Sequence, residues 1–302
     1  MNRLPSLFVY GAGRTGLAVA RLAERRGVRL AGVWSPRPLR PPRMDLAGGL
    51  DLEIAVAPSP KAADLWLLAV PDDAVADLAR GLAEALDAEP TAPRPRAAAH
   101  CAGAHPAALL EPLRERSIPA ASWHPAMTFR GAADDADALA GARIAIEGDP
   151  AAVDLARALA AALGATAVLL ATGAKPWYHA ALVFAANGRV VLDAVATRLL
   201  SEAGIAGDEA RALLAPLVAR AEANLSGAAA AEALTGPVAR GDARTVRVQV
   251  EALADRPLAL DLYRALGRVA LELVPEHHRG DGHREVARLL GADIDPPEGT
   301  PC

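Results

Sequence analysis

Lysine is almost missing from this 302-residue chain: Lys61 and Lys175 are its two examples, and arginine supplies the rest of the 32 basic side chains. Where a residue type is avoided throughout, each retained copy becomes a candidate for a specific role. Cysteine is as scarce, with Cys101 and Cys302 alone. Two cysteines cannot build a disulfide framework, and they fit a reducing cytoplasm. Strong net charge is lacking too: a formal charge of -4 and a pI near 6.0 give no general attraction to nucleic acid or anionic membrane, and point to a small-molecule partner. No secretory leader is legible, because the apolar start, Leu4 to Tyr10, is short and runs straight into glycine. No membrane span is expected either. The most apolar long stretch, Ala180 to Leu200, is interrupted by Asn187, Arg189, Asp193 and Arg198, which would be costly in lipid.

What the chain does have is a glycine-rich turn placed early. Leu7 to Tyr10 is an apolar run of strand character, and Gly11-Ala12-Gly13-Arg14-Thr15-Gly16 follows with dinucleotide-binding spacing. Gly11 permits the tight turn, Gly13 lets the backbone approach a pyrophosphate, and Gly16 lets the next helix pack on the strand. The anion then sits where helix N–H groups lack partners. The helix reads as Arg14 to Arg26 with Gly27 as its stop, and a second strand, Val28 to Trp34, completes the unit.

The residue after that second strand distinguishes the two nicotinamide coenzymes. An acid there binds ribose hydroxyls, whereas a 2′-phosphate needs cations and hydrogen-bond donors. This chain has no acid at that place but reads Trp34-Ser35-Pro36-Arg37, with Arg40 and Arg43 behind. Ser35 as hydroxyl donor and Arg37 as planar clamp favour NADP over NAD.

Further strands are expected at Leu52 to Ala57, Leu65 to Val70, Ala97 to Cys101, Ile118 to Trp123, Ala142 to Glu147 and Ala165 to Ala171. Helices are expected at Asp72 to Leu86, Pro106 to Arg114 and Pro150 to Leu163. Ligands of open α/β sheets collect at the carboxyl ends of strands, so Val70, Pro71, Asp72 and Cys101 should border the coenzyme; Asp72 also reads as a helix cap. From Lys175 the strands stop. A helix from Pro176 to Ala203, about 40 Å long at the usual rise, is apolar on most of its circumference, so it needs a sheath of other helices or a second subunit. A homodimer is the expectation. Helices follow at Gly207 to Leu225, Asp242 to Ala254, Pro257 to Leu273 and Gly282 to Leu290, with a frayed tail from Asp295 to Cys302. The division is an N-terminal dinucleotide-binding domain, 1–171, and an all-α domain, 172–302.

Several segments resemble one family: Gly11 to Gly16, Ala69-Val70-Pro71-Asp72-Asp73, His100-Cys101-Ala102-Gly103-Ala104, His124-Pro125 with Thr128-Phe129, Lys175 with His179 and Asn187, and Leu234 to Asp242. The chain resembles two-domain Rossmann-like oxidoreductases whose helical second domain is catalogued as a domain of unknown function. They are distant relatives of prephenate dehydrogenase, pyrroline-5-carboxylate reductase and ketopantoate reductase. The resemblance implies a Rossmann-type doubly wound sheet followed by an all-α domain of the 6-phosphogluconate dehydrogenase C-terminal kind. It implies NADP-dependent hydride transfer with a small keto acid, ketone or imine bound between the two domains, and leaves the substrate open.

Hydride transfer leaves negative charge on the substrate's oxygen or nitrogen, so it needs a positioned proton donor beside that atom. His124 is the first candidate, because imidazole titrates near neutral pH and His124-Pro125-Ala126-Met127 resembles the catalytic histidine segment of prephenate dehydrogenases. Lys175 and His179 lie one helical turn apart and can face the same cleft, as carboxylate ligand or proton donor. Asn187-Gly188 in mid-helix is locally unfavourable, so close approach to a ligand or another helix is expected. Related reductases use a lysine and an asparagine on this helix at a shorter separation. Thr235 and Arg240, in a turn capping the next helix through Asp242, are candidate substrate ligands. Cys101 reads as a small buried residue and not a nucleophile. His277, His278 and His283 with Glu276 and Asp281 lack convincing zinc spacing, so no metal is expected. Two rivals remain: a protein that binds NADPH as a redox sensor or scaffold without turnover, and an NAD-linked 3-hydroxyacid dehydrogenase.

Overall fold

The computed structural model describes residues 5–40 and 47–292. Arg43, Cys302 and the tail beginning at Asp295 lie outside the described residues. The chain divides into two compact units, 1–189 and 190–302, with the cut inside the long helix that the sequence expectation began near residue 176.

In the first unit eight strands form one sheet: β1 (Leu7–Tyr10), β2 (Leu30–Ser35), β3 (Leu52–Ile54), β4 (Leu65–Leu68), β5 (Ala97–His100), β6 (Ala120–Pro125), β7 (Arg143–Gly148) and β8 (Thr166–Leu169). Their order is β3-β2-β1-β4-β5-β6-β7-β8. The first six are parallel neighbours, β7 runs antiparallel to β6, and β8 runs parallel to β7. This is a Rossmann-like sheet with its strand-order reversal between β1 and β4, where nucleotides bind in such folds.

Strand alternation sorts the core into two layers. Leu7, Val9, Leu65, Leu67, Ala97 and Ala99 pack on one side with Leu17, Ala20 and Ala23 of α1 (Arg14–Arg25). Phe8, Tyr10, Trp66, Leu68 and Ala98 pack on the other with Val75, Ala79, Leu82 and Leu86 of α2 (Val75–Ala88). Both faces are therefore covered, which is why these strands read as continuous apolar runs.

Some boundaries differ from the sequence expectation. Pro106 to Arg114 is a 3-10 turn, Ala107–Leu110, leading into the short α3 (Glu111–Arg114). The strand expected to end at Trp123 continues to Pro125, so His124 is a strand residue paired with Ala145. Two further helices, α4 (Asp135–Leu139) and α5 (Pro150–Ala162), close the layer.

The long helix starts as α6 (Lys175–Leu182), widens into a π-helical stretch, Val183–Gly188, and continues as α7 (Arg189–Glu202). Asn187-Gly188 closes this π segment. A Cβ at Gly188 would meet only Val183 O, at an ordinary 3.5 Å, so no packed neighbour demands glycine. By length and composition the helix Lys175–Glu202 could cross a membrane, with a window of mean hydropathy 1.4, which the sequence reading did not expect. None of that window is buried in the single chain; Trp177 and Phe184 are more than four-fifths exposed.

The second unit contains α8 (Gly207–Gly227), α9 (Ala230–Ala233), α10 (Ala243–Ala252), α11 (Pro257–Leu273) and α12 (Asp281–Leu289). Its core is small: Val246, Leu271, Val286, Ala287 and Leu290. Asp242 caps α10 as expected, accepting from Thr245 N at 3.1 Å and from Thr245 Oγ1 at 2.7 Å.

Candidate coenzyme turn and polar cluster

The three glycines of the first turn answer to different constraints. Gly11 sits at φ +124°, and a Cβ there would run into the Ala69 carbonyl; one on Gly16 would run into Gly11 O. The polypeptide itself therefore requires both. Gly13 is different: it caps α1 with φ -80°, and a Cβ would find only Ala69 O, at 3.7 Å. Nothing in the chain forbids a side chain at Gly13, so its absence leaves room for something outside the chain. No side chain caps α1, so its first N–H groups are available to an anion. The turn fits a dinucleotide pyrophosphate.

Around it, Ala12 is buried and Thr15 half-buried. Arg14 reaches the loop after β6, donating from Nη1 to Phe129 O at 3.2 Å. Ser35 is buried, and its hydroxyl donates to Arg37 O at 2.7 Å. That proton serves the loop's own turn and not an outside phosphate, which leaves Arg37 and Arg40 as the exposed cations there. Val70, Pro71 and Asp72 follow the end of β4, with Asp72 opening a 3-10 turn.

Two strands further along, β5 and β6 end in a cluster of ionisable groups that α6 completes. Lys175 is fully buried and donates from Nζ to Ser122 Oγ at 2.6 Å. Burial lowers its pKa to about 8, against the opposing pull of Glu147, Cys101 and Asp72. Three residues on, the Tyr178 hydroxyl and His124 Nδ1 share a hydrogen bond at 2.9 Å. Lys175 Nζ also stands 5.6 Å from the centre of the Tyr178 ring. His179 comes from the next position, its ring centre 5.7 Å from that of His124. A Cβ built on Gly103 would lie 2.6 Å from His179 Nε2 and 2.9 Å from His124 Nε2. The two ring nitrogens thus converge on one spot above the loop that leaves β5.

Charge is tightly constrained in this cluster. Burial, then Lys175, His179 and His100, push the His124 pKa down to about 3. His124 is accordingly a neutral imidazole at physiological pH, which departs from the near-neutral titration expected of it. His100 beneath is also neutral, with burial as the main cause of a pKa near 4. Its ring is held by the backbone: Nε2 donates to Pro106 O at 3.0 Å and Nδ1 accepts from Ala102 N at 3.1 Å. Cys101 is half-buried, and burial drives its thiol up to about 12, so it is no thiolate. Glu147, on β7, is buried and accepts from Ala107 N at 2.6 Å.

The structure thus brings His124, Lys175 and His179 together within the first unit. Asn187 is exposed in the π segment, and Thr235 and Arg240 are exposed in the second unit. His283 is a structural residue there, its Nε2 donating to Ala239 O at 3.2 Å and its Nδ1 accepting from Gly280 N at 3.2 Å. Among the described residues no group of three or more His, Cys, Asp or Glu is arranged to hold a metal. Sequence reasoning passed over Ser122, Tyr178, Gly103 and Glu147. A serine inside the apolar run Ala120-Ala121-Ser122-Trp123 was a readable signal, as was a tyrosine one position before His179 and three after Lys175. The convergence on Gly103 had none.

Comparison with known proteins agrees with this architecture. No curated protein matches the sequence. Among solved structures, a candidate NADP oxidoreductase from Bacteroides fragilis, BF3122, aligns with a TM-score of 0.71 at 22% identity, over 89% of this chain and 98% of its own. Protein TM1727 from Thermotoga maritima aligns at 0.67 and 20% identity, over 90% and 100%. A Plasmodium falciparum pyrroline carboxylate reductase with NADP bound aligns at 0.54 and 9% identity, over 90% and 99%. Residues 142–270 match the profile of a family described as a domain of unknown function, DUF2520. The chain has the Rossmann-like fold of these proteins, a nucleotide-type sheet followed by a helical C-terminal region.

Proposed function

We propose that the protein is an NADP-dependent oxidoreductase that moves a hydride between NADPH and a small keto acid, ketone or imine. One observation carries this reading: His124 Nε2 and His179 Nε2 meet over Gly103 beside a buried lysine, on the sheet whose β1–β4 reversal holds a glycine turn fit for pyrophosphate. The structural neighbours lend support, since they include a reductase with NADP bound and an Aspergillus terreus reductive aminase in complex with NADPH.

A bound NADPH would supply the hydride. Gly11 to Gly16 would receive the pyrophosphate, and Arg37 with Arg40 the 2′-phosphate. The substrate carbonyl or imine carbon gains the hydride and its heteroatom gains a proton, so negative charge must be met as it develops. Lys175 Nζ holds a proton with a pKa of about 8 and is largely cationic at neutral pH, so it stabilises that charge. Ser122 Oγ accepts from Nζ and keeps the ammonium in place. The ring nitrogens of His124 and His179 face the position of the reacting heteroatom.

We also propose that a second copy covers the exposed apolar face of the helices, giving a homodimer. Light scattering should return twice the 31.1 kDa chain mass; a monomer at micromolar concentration contradicts the dimer. The test of activity is NADPH oxidation with a panel of keto acids and cyclic imines. Turnover with at least one member supports the proposal. Tight NADPH binding without turnover on any member favours a sensor or scaffold.

A further inference from the structure

His124 and Tyr178 are joined by a hydrogen bond whose direction decides what the catalytic cluster presents to a substrate. Tyr178 lies on α6 and His124 on β6, 54 positions apart in sequence, and the contact is Oη to Nδ1 at 2.9 Å. A phenol is a good donor and a weak acceptor, whereas the bare nitrogen of a neutral imidazole is a strong acceptor. With the imidazole neutral and the phenol protonated, the favoured arrangement is Tyr178 O–H donating to Nδ1. The remaining proton of the ring must then sit on Nε2, the atom 2.9 Å from the point where a Gly103 Cβ would be.

We propose that Tyr178 is a positioning residue that locks His124 in the Nε2–H tautomer, so that this N–H donates to the heteroatom of a carbonyl or imine brought up to Nε2. The inference rests on the oxidoreductase reading and adds a residue and a direction to it. The reaction balances: as the carbon takes the hydride, the heteroatom takes the Nε2 proton, and Nδ1 takes the hydroxyl proton of Tyr178. The ring stays neutral in the opposite tautomer, and the phenolate is reprotonated from solvent. Burial supports the assignment at both ends, since it pushes Tyr178 up to about 12 and keeps the phenol protonated before reaction, while His124 stays uncharged. His100 shows the same logic with backbone partners: its Nδ1 accepts and its Nε2 donates. His124 differs because its Nε2 makes no hydrogen bond to the backbone and is directed at the spot above Gly103 that His179 Nε2 also approaches. Gly103 is buried, and a side chain there would collide with His179 Cδ2, so the close approach of both imidazoles to this loop depends on glycine.

The test is long-range proton–nitrogen NMR on protein labelled at histidine, with His124 assigned by comparison with His124→Ala. The wild type should show His124 protonated on Nε2 and bare on Nδ1 at pH 7. Tyr178→Phe, which keeps the ring beneath Lys175 and removes only the hydroxyl, should give a tautomer mixture. A wild-type His124 protonated on Nδ1, or an unchanged spectrum in Tyr178→Phe, overturns the proposal. These spectra need no coenzyme, so failure to bind NADPH would count against the oxidoreductase reading alone. Once a turned-over substrate is in hand, Tyr178→Phe should lower kcat about tenfold, the worth of one good hydrogen bond, with NADPH affinity unchanged. In a His124→Ala background the same substitution should change kcat less than about twofold, because the two act as one unit. Fully additive losses contradict the coupling.

Discussion

The glycine turn and the polar cluster lie at the ends of strands of one sheet, β1 and β5–β6 with β4 between them, but are built in opposite ways. The turn is made of backbone: Gly11 and Gly16 are held by carbonyls of the chain, and Gly13 keeps a space open. All of it comes from six consecutive residues. The cluster is made of side chains from β5, β6, β7 and α6, each buried or half-buried, and its charged and titratable members shift one another. On the proposed function, coenzyme binding would rest on local geometry that tolerates little change, and the chemistry on long-range packing of ionisable groups. The contrast predicts that substitutions in the turn act on affinity or stability, and substitutions in the cluster act on turnover.

The largest expected effect is at Lys175. Lys175→Met removes the buried cation with little change of volume and should lower turnover ~10²–10³-fold, the usual worth of a preorganised group that stabilises developing charge, with NADPH affinity near wild type. Its pH dependence has a definite sign. In the reductive direction the ammonium must be protonated, so the rate should be flat below about pH 8 and fall as pH rises through the Lys175 pKa; the oxidative direction should rise over the same range. A profile set instead by a group near pH 6 would take the charge-stabilising role away from Lys175.

Next in size is the coenzyme preference. Arg37→Ala should weaken NADPH by roughly tenfold or more, the loss of a charge-assisted hydrogen bond to phosphate, and leave NADH almost unaffected. Equal weakening of both would remove the 2′-phosphate from this loop. The smallest effect expected is on stability in the turn. Gly11→Ala forces a side chain into a positive-φ position against a carbonyl and should cost ~1–3 kcal/mol by thermal or urea unfolding. A neutral Gly11→Ala would show that the turn is looser than its geometry implies.

The same contrast explains what could be read before the structure. The turn, α1 and the first strands were legible because their constraints are local: apolar runs bounded by glycines at set spacing. The long helix was legible in extent, but its π segment was not, since nothing local marks Val183–Gly188 as differently wound. His124, Lys175 and His179 were legible as residue types at suggestive spacings. The convergence of the two imidazoles on Gly103, the serine partner of Lys175 and the tyrosine partner of His124 depend on β6 lying beside β5 and on where α6 begins. The charge state of His124 was misjudged for the same reason, because burial is a property of the assembled sheet.

Gly13 offers the most direct test, since it is the glycine of the turn that the chain itself does not need. Calorimetric titration of the wild type and Gly13→Val with NADPH, alongside their unfolding temperatures, isolates the claim that this turn holds a dinucleotide. The account predicts wild-type binding, a loss of about a hundredfold or more in Gly13→Val, equivalent to ~3 kcal/mol, and nearly equal unfolding temperatures. Absence of binding heat in the wild type, or undiminished affinity in Gly13→Val, would contradict it.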